Sequence, residues 1–309
     1  MRQGLLWLSE RQGVFNFVRR NGLARKFASR FVAGETVDEG VAAASDLSVR
    51  GITATLDLLG ESVMQESDAA AACAQYIEML DHMATAGVEV NVSVKLTQMG
   101  LDISEEVCLR NVVSILERAR ELNGFVRLDM EGSDYTERTL SFFKSRLFQP
   151  FESSCGVVIQ AMLRRSRADV QDLIDMGARV RLCKGAYLEP PSVAFPDKAD
   201  VDRNYVELME LLLTRGKYPG IATHDPAILK HAQAFIQRNT IGSDRYEFQM
   251  LYGVRRDLQQ RLRRIGHRVR VYIPFGTQWY PYLMRRLAER PANIAFILGN
   301  VVRESVPGR

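Results

Sequence analysis

Residues 89–132, EVNVSVKLTQMGLDISEEVCLRNVVSILERARELNGFVRLDMEG, contain one strand–helix–strand unit, and the repetition of that unit decides the fold. EVNVSVKL (89–96) and FVRLDMEG (125–132) are short, apolar and rich in β-branched residues. Between them Val107, Val112, Ile115, Leu116 and Ala119 recur at helical spacing, and Ser104 stands where an N-cap can accept from the first turn. Six further runs read as strands: GITATLDLLG (51–60), GVVIQAML (156–163), ARVRLCKGAY (178–187), GIATHD (220–225), YEFQMLYG (246–253) and HRVRVYIPFG (267–276). VVIQAM and VRVYI read as apolar on both faces, as in a parallel sheet covered by helices. Eight such strands with helices between them predict an α/β protein with a closed (β/α)8 TIM-type barrel. An open doubly wound sheet is the alternative, but its glycine-rich first turn is missing: GESVMQES (60–67) has no G-x-G-x-x-G. The predicted organisation is a helical extension over 1–45, covering one end of the barrel, and a catalytic barrel over 46–309.

The chain has 309 residues, 46% hydrophobic and 25% charged, with 22 glycines and 10 prolines, which excludes collagenous, low-complexity and largely disordered classes. Its 41 basic and 37 acidic side chains leave +4, too small an excess to require a nucleic acid. Much of it is local: Arg255, Arg256, Arg261, Arg263, Arg264, Arg268 and Arg270 crowd one stretch. That stretch reads as a solvated helix face, with a phosphate-binding or lipid-head-group patch as the alternative. Cys73, Cys108, Cys155 and Cys183 are scattered and read as reduced thiols. MRQGLLWLSERQGVFNFVRR at the start lacks the long apolar run of a signal peptide, and no segment reaches bilayer-spanning length. The expectation is a cytoplasmic protein, with peripheral contact to the inner face of the membrane left open.

Barrel enzymes place catalytic groups at the C-terminal ends of strands, and polar residues gather there. Lys95 ends the second strand, Asp129 and Glu131 the third, Gln160 the fourth, and Arg181 and Lys184 the fifth. Thr223, His224 and Asp225 end the sixth, Glu247 and Gln249 lie in the seventh, and Tyr272 ends the eighth. Any one of these could be a solvated loop residue or an ion-pair partner; their convergence is the signal. Only His224 among four histidines lies at a strand end, without H-x-H or H-E-x-x-H, so no metal is expected. A Schiff-base lysine stays open at Lys95 or Lys184. In FGTQWYPYLMRRLAERPAN (275–293), Thr277 can cap a helix on which Tyr282, Arg285, Arg286 and Glu289 share a face. That face reads equally as an exposed Arg–Glu surface or as a clamp for a small carboxylate.

Taken together, NVSVKLTQMG, RLDMEGSDYT, VVIQAMLRRS, VRLCKGAY, ATHD, YEFQMLYG and VYIPFGTQWYPYLMRRLAERPAN resemble, in this order, the proline dehydrogenase family in its short monofunctional bacterial form. The resemblance spans residues 50–300. It implies a distorted (β/α)8 barrel that oxidises L-proline to Δ1-pyrroline-5-carboxylate with FAD and passes electrons to membrane quinone. No aldehyde dehydrogenase half follows, so a separate pyrroline-5-carboxylate dehydrogenase would take the product. By the same resemblance the substrate carboxylate contacts fall on Lys95, Arg285 and Arg286, and the active-site aspartate on Asp129. The walls of the proline ring fall on Tyr187, Leu251, Tyr272 and Tyr282. FAD contacts fall on Met130, Gln160, Arg181, Lys184, Gly185, Ala186, Thr223, His224 and Glu289, with Arg181 beside the redox-active ring. Glu61 would form a gate ion pair with Arg285. From the residues alone, a barrel lyase using Lys95 or Lys184 and a non-catalytic flavin- or amino-acid-binding protein remain alternatives.

Overall fold

The computed structural model describes residues 29–280 and 282–283. The wall of the fold alternates strands with covering helices. A first helix, α1 (Val37–Ser48), leads to β1 (Thr53–Leu58), α2 (Glu66–Thr85), β2 (Asn91–Val94), α3 (Glu105–Glu121) and β3 (Phe125–Leu128). After β3 come α4 (Ser133–Phe142), a π-helical turn (Phe143–Leu147), α5 (Phe148–Phe151), β4 (Cys155–Gln160), α6 (Ser166–Asp175) and β5 (Arg179–Cys183). The series ends with α7 (Lys198–Arg215), β6 (Gly220–Ala222), α8 (Pro226–Arg238), β7 (Glu247–Leu251), α9 (Arg256–Arg264) and β8 (Val269–Phe275). All eight strands are parallel and close into a barrel, β8 pairing with β1 from Thr53↔Arg270 to Leu58↔Phe275. Each predicted strand run holds one of them.

Local chemistry sets several helix starts. Ser104 caps α3, its hydroxyl accepting from the Val107 N–H at 3.1 Å, and Val107, Val112, Ile115, Leu116 and Ala119 are all buried. Asp225 caps α8 with Pro226 in its first turn, and Thr36 forms a capping box with Glu39 on α1. No helix among the described residues is long and apolar enough to cross a membrane.

Helix α1 runs through residue 45, across the boundary expected between the extension and the barrel. It lies on the outer wall between β1 and β8. A Cβ at Gly40 would sit 3.1 Å from Phe275 and 3.6 Å from Leu56, both outward-facing core residues. Residues 1–28 fall outside the described residues.

Strand alternation puts the apolar residues in the helix-covered layer and the polar ones in the lumen. In β8, Val269, Val271 and Ile273 meet the helices while Arg270 and Tyr272 point inward, so VRVYI is not apolar on both faces. The lumen therefore departs from the bulky aliphatic filling usual in such barrels. Arg127, Arg181, Arg270, Asp57, Glu247 and Gln249 are all buried there. Gly156 leaves room for this charged filling, because a Cβ would stand 2.5 Å from the Arg179 carbonyl oxygen and from Nη1 of Arg127. Gly156→Ala should cost about 1–3 kcal/mol in urea unfolding. A loss below about 0.5 kcal/mol would show that the arginines can yield.

The arginine-rich stretch divides in the same way. Arg255, Arg256, Arg261, Arg263 and Arg264 are exposed, and α9 buries only Leu258, Gln259 and Leu262. Arg270 leaves the patch altogether: it is 3% exposed and paired with the buried Glu247 inside the barrel and with the exposed Glu89.

Candidate active site

Five strands bring one connected cluster to the C-terminal mouth. Asp129, following β3, accepts from Nη1 of Arg181 at 2.8 Å through Oδ1 and from the Tyr272 hydroxyl at 2.7 Å through Oδ2. Arg181 Nη1 also donates to Ser93 Oγ at 3.0 Å, while its Nε donates to Gln249 Oε1. Its guanidinium lies over the Tyr272 ring, 5.2 Å from the centroid. Lys95, following β2, donates from Nζ to Oδ1 of Asp57 at 2.8 Å, with side chains 9% and 1% exposed respectively. The Asp129 and Arg181 bonds cross the lumen between strands that are not neighbours, which is possible only for inward-facing side chains, whereas Lys95 and Asp57 meet from the adjacent strands β2 and β1.

The electrostatics follow from this packing. Burial pushes the Asp57 carboxyl pKa up, against the pull of Lys95. Burial opposes the Lys95 charge, but Asp57 and Asp129 outweigh it and raise the ammonium pKa. A Schiff-base lysine must reach the neutral amine, so this environment works against that chemistry at Lys95. Lys184 is held between Asp202 and Asp225, donating to both, with the Asp225 bond at 2.9 Å. The Tyr272 hydroxyl is held well above its usual pKa, first by burial and then by Asp129 and Asp57, so it acts as a donor.

Below the mouth, Glu247 accepts from Arg270 Nε at 2.8 Å. Burial opposes its charge, but Arg270 and Gln249 bring its pKa from 4.5 to about 2. A folded-state pKa below the unfolded one gives stability that is complete above about pH 4.5 and is lost as pH falls towards 2, on the order of 3 kcal/mol in all. Urea midpoints should therefore fall more steeply in this window for the native chain than for Glu247→Gln. Equal slopes would remove Glu247 from the account.

The remaining predicted residues line the same rim. Gln160 donates from Nε2 to the Met130 and Glu131 carbonyls at 3.2 Å, and its buried Oε1 has no partner among the described residues. Met130 is buried beside it. Gly185 adopts φ +103°, where a side chain would collide with Met162 Sδ; Lys184 and Ala186 flank it. Tyr187 packs on the small cluster of Met162, Leu163 and Ala194. Thr223 Oγ1 accepts from the Asp225 N–H at 3.1 Å. His224 Nε2 accepts from the Leu251 N–H at 2.8 Å, which requires a neutral ring protonated on Nδ1. Glu61 is half-buried on the loop after β1, and Tyr282 is 7% exposed. Arg285, Arg286 and Glu289 lie outside the described residues.

Asp57 and Ser93 were missed from sequence. Their signal was register: Thr55 and Asp57, like Asn91, Ser93 and Lys95, fall on alternate positions that face the lumen, and Thr55 Oγ1 donates to Asn91 Oδ1 at 2.7 Å.

The family described as proline dehydrogenase matches residues 41–298. Over 304 residues the chain is 39% identical to proline dehydrogenase 1 of Bacillus subtilis subsp. natto, covering 98% of this chain and 100% of that one. It is 40% identical over 309 residues to the proline dehydrogenase of Deinococcus radiodurans, covering 98% of each. Among solved structures, proline utilization A (PutA) from Bdellovibrio bacteriovorus inactivated by N-propargylglycine aligns with TM-score 0.80 at 27% identity. That alignment covers 92% of this chain and 34% of PutA, so the chain spans about a third of that protein.

Proposed function

The chain belongs to the proline dehydrogenase family, and on that premise we propose that it oxidises L-proline to Δ1-pyrroline-5-carboxylate with FAD and delivers the electrons to a membrane quinone. The observation that carries this reading is the Asp129–Arg181–Tyr272 cluster at the mouth, with Lys95 beside it and the unpartnered Gln160 Oε1 at its edge. The rim suits a flavin: a buried amide oxygen able to accept an N–H, a side-chain-free turn at Gly185, and a cation at Arg181. Met130, Gln160, Arg181, Lys184, Gly185, Ala186, Thr223, His224 and Glu289 would hold the cofactor. When bound, FAD supplies the acceptor for the hydride from the proline δ-carbon and relays the electrons.

The chain's own residues do the rest. Lys95, Arg285 and Arg286 bind the substrate carboxylate by charge-assisted hydrogen bonds, each contributing on the order of 1.5–3 kcal/mol. Tyr187, Leu251, Tyr272 and Tyr282 wall the ring and exclude water. Asp129 holds Arg181 and Tyr272 in one geometry, and Arg181 places its positive charge where negative charge develops. Glu61 closes the site against Arg285. Proline reacts as the free amine, because only the lone pair on nitrogen can drive hydride loss from the adjacent carbon. The site is cytoplasmic, peripheral to the inner face of the membrane where quinone is met, and a separate pyrroline-5-carboxylate dehydrogenase consumes the product.

Colour tests the proposal. The purified protein should be yellow, with a flavin spectrum that anaerobic L-proline bleaches. A colourless protein trapped by borohydride on a carbonyl substrate would establish the lyase in its place. A yellow protein that proline never bleaches would reduce the chain to a flavin-binding module.

A further inference from the structure

The Arg181 guanidinium is held from beneath as well as from the mouth. Its Nε donates to Gln249 Oε1, and Gln249, 4% exposed, donates from Nε2 to Glu247 Oε1 at 2.6 Å. Glu247 is fixed in turn by Arg270 Nε at 2.8 Å and by the Tyr218 hydroxyl at 3.3 Å. Arg270 is tied to the barrel wall through the Ala54 carbonyl at 2.8 Å and to Glu89 at 2.7 Å. A continuous chain of hydrogen bonds therefore runs up the lumen from the exposed Glu89 through the buried Arg270, Glu247, Gln249 and Arg181 to Asp129.

Gln249 is the only uncharged member of that chain between Glu247 and Arg181. A carboxylate below it can only accept and a guanidinium above it can only donate, so the amide has one permitted orientation. A glutamate there would face Glu247 across a hydrogen-bond distance, and an aliphatic side chain would satisfy neither neighbour. Gly220 on β6 makes room, since a Cβ there would lie 2.5 Å from Gln249 Nε2. We propose that Gln249, anchored by Glu247 and Arg270, is a positioning residue that fixes the plane of the Arg181 guanidinium for the oxidation. Without the Gln249 contact, the Nε edge is unheld and the guanidinium is free to turn towards a two-bond fork with Asp129, carrying its charge away from the flavin. The proposal rests on the reading of Arg181 as the cation beside the flavin.

The test uses the full-length FAD-loaded protein. Gln249→Leu should slow flavin reduction by saturating proline roughly tenfold. It should also lower the midpoint potential of the bound FAD, with the apparent proline Kd changed less than about twofold. The double exchange, Glu247→Gln together with Gln249→Glu, preserves the pattern. The carboxylate, moved to position 249, would accept from Arg181, and the amide, moved to position 247, would donate to that carboxylate and accept from Arg270. That variant should recover the native rate to within about threefold. A folded, flavin-loaded Gln249→Leu with native rate and potential overturns the positioning role. So does a double variant, equally folded and loaded, that stays as slow as Gln249→Leu. If proline fails to bleach the native protein, the underlying reading of the site falls and this proposal falls with it.

Discussion

Arg181→Met is expected to slow flavin reduction by proline by roughly 10²–10³-fold, the loss typical when one preorganised group facing developing charge is removed. The side chain is 5% exposed and bonded to Gln249, Ser93 and Asp129, so its charge is in place before substrate arrives and needs no reorganisation. Methionine fills similar volume but, among the described residues, leaves the Asp129 carboxylate with only the Tyr272 hydroxyl. Arg181→Lys should recover little, because an ammonium cannot reproduce the fork that reaches three partners at fixed angles. Stopped-flow reduction under anaerobic conditions checks this, with bound flavin quantified separately. A rate within threefold of native for Arg181→Met would remove Arg181 from the chemistry.

The second large effect is on stability. Asp57→Ala should lower the unfolding free energy by about 3–5 kcal/mol, because it strands the Lys95 ammonium in a site with almost no solvent contact. The cost belongs to the uncompensated charge rather than to the lost attraction. Replacing both partners, Asp57→Val with Lys95→Met, should therefore cost less than Asp57→Ala alone. Urea midpoints decide: a loss below about 1 kcal/mol for Asp57→Ala would mean that water reaches Lys95. The double variant should still lose proline affinity, since Lys95 is one of the proposed carboxylate contacts.

The architecture was legible because strand–helix alternation is a local property. FVRLDMEG or YEFQMLYG carries its own β-branched and apolar signal, and Ser104 announces the helix that follows. Strand-end residues such as Asp129, Gln160, Arg181 and Tyr272 were legible for a related reason, since a barrel sends every strand end to one mouth. Less legible was the direction each side chain takes within a strand. Arg270 lies in an arginine-rich stretch and looks like part of a surface patch, yet register turns it into the lumen against Glu247.

The sequence by itself determined the eight strands, the closed barrel and the set of polar groups at its mouth, because these follow from local periodicity and from a fold that gathers strand ends. Only the tertiary structure decided the pairings: Lys95 with Asp57, Arg181 with Asp129 and Gln249, and Lys184 with Asp202 and Asp225. The partners lie 18 to 68 residues apart in the chain. For Lys95 and Arg181 in the buried lumen, which group meets which is set by strand register and distance inside the barrel, and for the partly exposed Lys184 by the packing of helix α7 against the strand ends; neither is written in any one segment.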